Sequence, residues 1–157
     1  MIRENMKKLI TISLFAALAM MPLLAGHPAS DKLIAQAIKE SGEISAKKLK
    51  SILDKEESVI ILDVREAEQR AEGQIYADDY FAITRGNLEF KVLNKIKNKD
   101  ALIVTYCRGG SRGALAAQTL RKLGYKNAVN LKGGLKGWAK EGYPIDTGLG
   151  VTKLSGE

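Results

Sequence analysis

Apolar positions along this chain follow two rhythms, continuous runs of strand length and stripes at helical spacing. Ser45 is placed to cap a helix running through Asp54, with Leu49, Ile52 and Leu53 turned inward. "SVIILDV" (58–64) reads as a strand covered on both faces. "EAEQRAEG" predicts a short helix closed by Gly73, and "YFAI" a second strand. From Asn87, read as a helix cap, Leu88, Val92, Leu93 and Ile96 make an amphipathic stripe. "ALIVTY" is the next buried strand. The helix after it buries Ala116, Ala117, Leu120 and Leu123 and closes at Gly124. "NAVNL" is a last short strand, and "KGGLKGWAKEGYPID" gives a glycine turn and a short helix bearing Trp138 that ends at Pro144. Strands alternating with helices predict an α/β domain whose mostly parallel sheet is covered on both sides. The domain proper is read over residues 43–148, with 149–157 as a tail.

The N-terminus follows neither rhythm. "LITISLFAALAMMPLLA" (9–25) is 17 residues without a charge, preceded by Arg3, Lys7 and Lys8, the pattern of an export signal. Its length is at the lower edge of a membrane span. A cleaved signal ending at Ala25 is the expectation, which places the protein in a bacterial periplasm. A retained anchor in the inner membrane is the alternative, because Leu23 fits the small-x-small cleavage pattern poorly. Residues 26–42 read as a linker with a short helix, Ile34 and Ile38 forming its apolar stripe.

Composition narrows the function. The 157 residues carry a net charge of +7 and allow one domain beside the leader. The lysines are spread over helix surfaces with no aromatic platform between them, so nucleic acid is not expected and a modest attraction to anions is. The single histidine, His27, precedes the domain, which excludes a Cys–His or Ser–His pair and a histidine-based metal site in the folded part. No metal or organic cofactor is indicated.

The remaining chemistry is concentrated in "VTYCRGGSRGALAAQTLRKLG" (104–124), which holds the only cysteine. Cys107 sits where a strand ends, and ligands of parallel sheets bind beyond the carboxyl ends of strands. Unpaired amides and the dipole of the following helix favour a sulfur anion there. Gly109 and Gly110 allow successive N–H groups to face one point, and Arg108 and Arg112 supply forked cationic donors. The competing reading is a buried small hydrophobe beside a tight turn and surface arginines. A phosphatase cradle needs five residues between cysteine and arginine; four separate Cys107 from Arg112, and Gly113 occupies the later position. The shorter cradle suits a single sulfur carried on the cysteine better than a phosphate.

Several separated motifs resemble single-domain rhodaneses, which are sulfurtransferases. "CRGGSR" resembles their active-site loop, "ILDVRE" (61–66) the strand that opens the domain, "TRGNLEF" (84–90) an arginine-glycine turn, and "LKGGLKGWAKEGYPI" (131–145) the closing signature. The resemblance spans residues 43–146 and implies a five-stranded parallel sheet flanked by helices. It also implies a persulfide on Cys107, loaded by a small anionic donor such as thiosulfate and unloaded by a thiol or cyanide acceptor. A carrier that hands its sulfur to a protein acceptor and turns over little free thiosulfate is the alternative. By the same resemblance the amides of Arg108, Gly109, Gly110, Ser111 and Arg112 hold the sulfur anion, the two arginine side chains meet the donor, and Arg85 lines the entrance. Asp63 and Arg65 are expected to fix the sheet edge and loop. Two departures stand out: "GQIYADD" (73–79) replaces the usual Gly-His-Ile-Pro-Gly-Ala, and Gly113 stands where serine is common.

Overall fold

The computed structural model describes residues 26–153, so the apolar segment at 9–25, with the export and anchoring expectations tied to it, lies outside the described residues. The chain divides into two units, Met1–Asp31 and Lys32–Glu157, and the fold lies in the second. The described elements are α1 (Pro28–Ser41), β1 (Glu43–Ile44), α2 (Ala46–Asp54), β2 (Ile60–Asp63), β3 (Asp79–Ala82), α3 (Leu88–Lys95), β4 (Leu102–Tyr106), α4 (Ser111–Lys122), β5 (Asn127–Leu131), α5 (Gly134–Lys140), β6 (Pro144–Asp146) and β7 (Val151–Lys153). Two 3₁₀ turns, Glu68–Glu72 and Arg85–Asn87, join them.

The sheet has five strands in the order β1-β5-β4-β2-β3, every neighbouring pair parallel. Alternation along each strand divides the core between two layers. Ile61, Val104 and Tyr106 pack with Leu49 and Ile52 of α2 and Leu135 and Trp138 of α5. Leu62, Ile103 and Ala128 pack with Leu88 and Val92 of α3 and Ala116 and Leu120 of α4. Because β2 and β4 are adjacent with Asp63 opposite Tyr106, the residues that follow each strand emerge side by side at one end of the sheet.

The structure departs from the sequence expectations at several points. The helix of the 26–42 segment is 14 residues long, and its buried positions are Ala37 and Ser41, while Ile34 and Ile38 of the expected stripe are half-buried. β1 was not anticipated, since two residues of one edge strand leave no periodic signal. Asn87 makes no side-chain capping bond, because a 3₁₀ turn runs directly into α3. Leu93 is 43% exposed, which leaves Leu88, Val92 and Ile96 as the buried stripe. Pro144 starts a strand, and part of the expected tail returns as β7 to pair antiparallel with it.

Candidate active site

Cys107 continues β4 by one residue, on the face that meets α3 and α4, and packs with Leu62 and Val64. The residue is only 2% exposed, so access to its sulfur is narrow. Gly110 turns the chain into α4 at φ +108°, and its amide donates to Cys107 Sγ at 3.1 Å. That turn needs glycine twice over. L-residues rarely adopt the angle, and a Cβ would lie 3.3 Å from the Gly133 nitrogen. Gly109 has open space around its missing side chain and no positive φ, so the turn rests on Gly110 alone. Ser111 is exposed and opens α4.

The loop is braced from behind by the start of α5. Leu135 and Lys136 donate their amides to the carbonyls of Cys107 and Arg108 at 2.8 and 2.9 Å. Gly134 makes this approach feasible, for a Cβ there would sit 2.5 Å from the Cys107 oxygen. Gly113 has a similar explanation: a Cβ would meet Asn130 Oδ1 at 2.3 Å and Tyr106 Cα at 3.3 Å, so glycine lets α4 close onto the sheet.

Next to this loop lies a buried polar cluster. Asp63 and Arg65 are fully buried and joined by a bond of 2.6 Å from Arg65 Nη2 to Asp63 Oδ2. Tyr106 and Tyr80 donate to the same carboxylate oxygen at 2.8 and 3.0 Å. Burial alone would raise the Asp63 pKa, but hydrogen bonds and charge from Arg65, with the Tyr106 hydroxyl, more than offset it and hold the carboxyl below its ordinary value. Burial and the Asp63 charge push both tyrosines upward, so they remain neutral donors. Arg65 also donates to the carbonyls of Gln69 and Gly73 at 2.9 and 2.7 Å. It therefore fixes the 66–73 segment.

That segment reaches the loop arginines. Arg108 Nε lies 3.4 Å from Glu72 Oε1, and Arg112 Nη2 donates to Gln69 Oε1 at 2.8 Å. Arg112 Nη1 is 3.8 Å from Glu66 Oε1. Sequence reasoning gave no site role to Glu66, Gln69 and Glu72, which entered only through the "ILDVRE" motif and the short helix closed by Gly73. It also missed Tyr80 and Tyr106, which read as strand residues. Arg85, expected to line the entrance, has its own partners. Its guanidinium binds Glu89 at 3.0 Å and Thr119 at 2.9 Å. Thr119 lies about 12 Å along α4 from Ser111 at 1.5 Å per residue.

A strand-to-helix loop presenting one cysteine to the Gly110 amide points to a class, and comparison with known proteins identifies it. The model of the rhodanese-like domain matches residues 45–141, and the chain belongs to this family. A sulfurtransferase of Allochromatium vinosum is 32% identical over 66% of this chain and 92% of its own length. The thiosulfate sulfurtransferase GlpE of Actinobacillus succinogenes is 30% identical over 62% of this chain and 85% of its own. Among solved structures, the polysulfide-sulfur transferase homodimer of Wolinella succinogenes superposes with a TM-score of 0.63 at 25% identity, over 79% of this chain and 87% of its own. The protein is a sulfur-transferring enzyme.

Proposed function

We propose that the protein moves a sulfane sulfur from thiosulfate or a similar small anionic donor to a thiophilic acceptor through a persulfide on Cys107. The observation that carries this reading is the Gly110 amide 3.1 Å from Sγ, at the junction of β4 and α4. A thiolate there attacks the outer sulfur of thiosulfate; a new S–S bond forms, the old one breaks, and sulfite leaves with the electron pair. Cyanide or a thiolate then takes the terminal sulfur and returns the Cys107 thiolate. Neither step needs an imidazole base, consistent with a chain whose one histidine is His27. Thiosulfate as donor is supported by the likeness to GlpE. The test is an intact-mass spectrum after brief incubation with thiosulfate, wild type beside Cys107→Ser, followed by cyanide. A gain of one sulfur, absent from the variant and removed by cyanide, is expected; no gain in the wild type refutes the thiosulfate reading.

A second reading is a persulfide carrier serving a protein acceptor. It is favoured by the pairing of Arg108 with Glu72 and of Arg112 with Glu66, which offsets their charge toward a free anion, and by the Gln69 bond that occupies an Arg112 donor. A carrier loads once and stalls without its partner, whereas an enzyme using free thiosulfate and cyanide turns over continuously. We also propose export to the periplasm, supported by the basic start and uncharged run at 9–25. Fractionation of producing cells tests it: release with periplasmic contents is expected, membrane retention supports the anchor, and recovery with the cytosol refutes both.

A further inference from the structure

Two positive charges follow the cysteine in the loop sequence, yet in the fold each faces a carboxylate from outside the loop. Arg108 meets Glu72 at 3.4 Å, and Arg112 lies 3.8 Å from Glu66 while donating to Gln69. Glu72 has no fully available cation behind it. Its other oxygen is 3.9 Å from Arg65 Nη1, and Arg65 is already matched by Asp63. Each loop arginine is therefore set against a carboxylate, where the loop alone would present two unpaired cations.

We propose that Glu66 and Glu72 are specificity-determining residues that disfavour doubly charged sulfur donors relative to singly charged ones. The inference rests on the reading of Cys107 as the sulfur-accepting group. A dianion such as thiosulfate has to displace these carboxylates or approach against them, and the penalty grows with its charge. A monoanion with the same reacting sulfur is opposed less. The four side chains are between 32% and 51% exposed, so water and salt screen each pair and the bias per carboxylate is modest.

Methanethiosulfonate gives the matched comparison, because it replaces one oxygen of thiosulfate by methyl and so carries one charge fewer. Attack by the Cys107 thiolate on its outer sulfur breaks the S–S bond and releases methanesulfinate with the electron pair, leaving the same persulfide. With cyanide as acceptor at low ionic strength, the ratio of kcat/KM for thiosulfate to that for methanethiosulfonate is measured in wild type, Glu66→Gln, Glu72→Gln and the double variant. The ratio should rise about twofold to fivefold per carboxylate removed, the range an exposed ion pair supports, and mainly through the KM for thiosulfate. High salt should erase most of the rise. Glu68→Gln is the control, since Glu68 lies exposed on the same segment and removes the same formal charge. A ratio that stays at the wild-type value in the double variant, or that Glu68→Gln raises equally, overturns the proposal. If methanethiosulfonate adds one sulfur to Cys107 while the ratios fail to move, only this inference falls. If neither donor adds sulfur to the wild type, the persulfide reading falls with it.

Discussion

Replacing Arg65 by methionine isolates what the buried polar cluster contributes. The change leaves the Asp63 carboxylate buried without its cation, and it frees the carbonyls of Gln69 and Gly73, which Arg65 binds at 2.9 and 2.7 Å. Tyr106 and Tyr80 still donate to Asp63, so the carboxylate keeps two hydrogen bonds. Breaking a buried pair from one side typically costs about 3–5 kcal/mol, because the remaining charge is uncompensated. For a domain of this size that corresponds to a fall in Tm of roughly 9–15 °C, at about 3 °C per kcal/mol. The pH dependence supplies the sharper test. In wild type the Asp63 pKa is lowered, so its contribution is complete above the unfolded value of about 3.9 and is lost as pH falls through the folded one. In Arg65→Met the same carboxyl is buried without a cation, its pKa moves above the unfolded value, and protonation relieves the penalty. The stability gap between wild type and variant should therefore narrow from pH 8 to pH 5. Urea melts followed by circular dichroism measure it, with Asp63→Asn/Arg65→Met expected to recover at least about 1 kcal/mol by removing the orphaned charge. A loss below about 1 kcal/mol, within the range of surface changes, or a gap constant with pH would refute the argument.

Two further substitutions probe the loop. Gly110→Ala imposes a side chain at φ +108° and 3.3 Å from the Gly133 nitrogen, so it should cost about 1–3 kcal/mol and slow persulfide formation, read by stopped-flow or quenched mass spectrometry. Gly134→Ala places a Cβ 2.5 Å from the Cys107 oxygen and should displace the loop from α5; a lowered Tm together with a reduced initial rate is expected, and full activity would show that the brace has no effect on the cysteine.

The central strands and their helices were legible because burial on both faces writes itself as unbroken apolar runs: Ile61, Leu62, Ile103 and Val104 are all fully buried. The position of Cys107 was legible for a related reason, since a strand that stops at a glycine-containing turn before a helix fixes where the next residue lies. What escaped the sequence depends on contacts between distant segments. Nothing around Glu72 says that Arg108, 36 positions away in the chain, will face it. The motif around Arg85 gives its backbone location, while Thr119 and Glu89 decide where the guanidinium goes. Gly134 looked like a turn residue, whereas its main demand comes from the carbonyl of Cys107 across the site.

The 66–73 segment shows how the fold could couple stability to donor choice. Its 3₁₀ turn buries no residue, so hydrophobic packing does not anchor it. Polar bonds hold it instead. Arg65 binds two of its carbonyls, Arg70 returns to the Arg65 carbonyl at 2.7 Å, and Gln74 pairs through its backbone with Asp146 on β6. Directional bonds of this kind fix position more narrowly than apolar contact does, and they end at the side chains facing Arg108 and Arg112. A fault at Asp63 or Arg65 therefore reaches the cysteine loop without touching it. Loosening the segment weakens the carboxylate pairing, so Arg65→Lys, which keeps the positive charge beside Glu72 but not the bonds to the Gln69 and Gly73 carbonyls, should shift the thiosulfate-to-methanethiosulfonate preference in the same direction as Glu72→Gln.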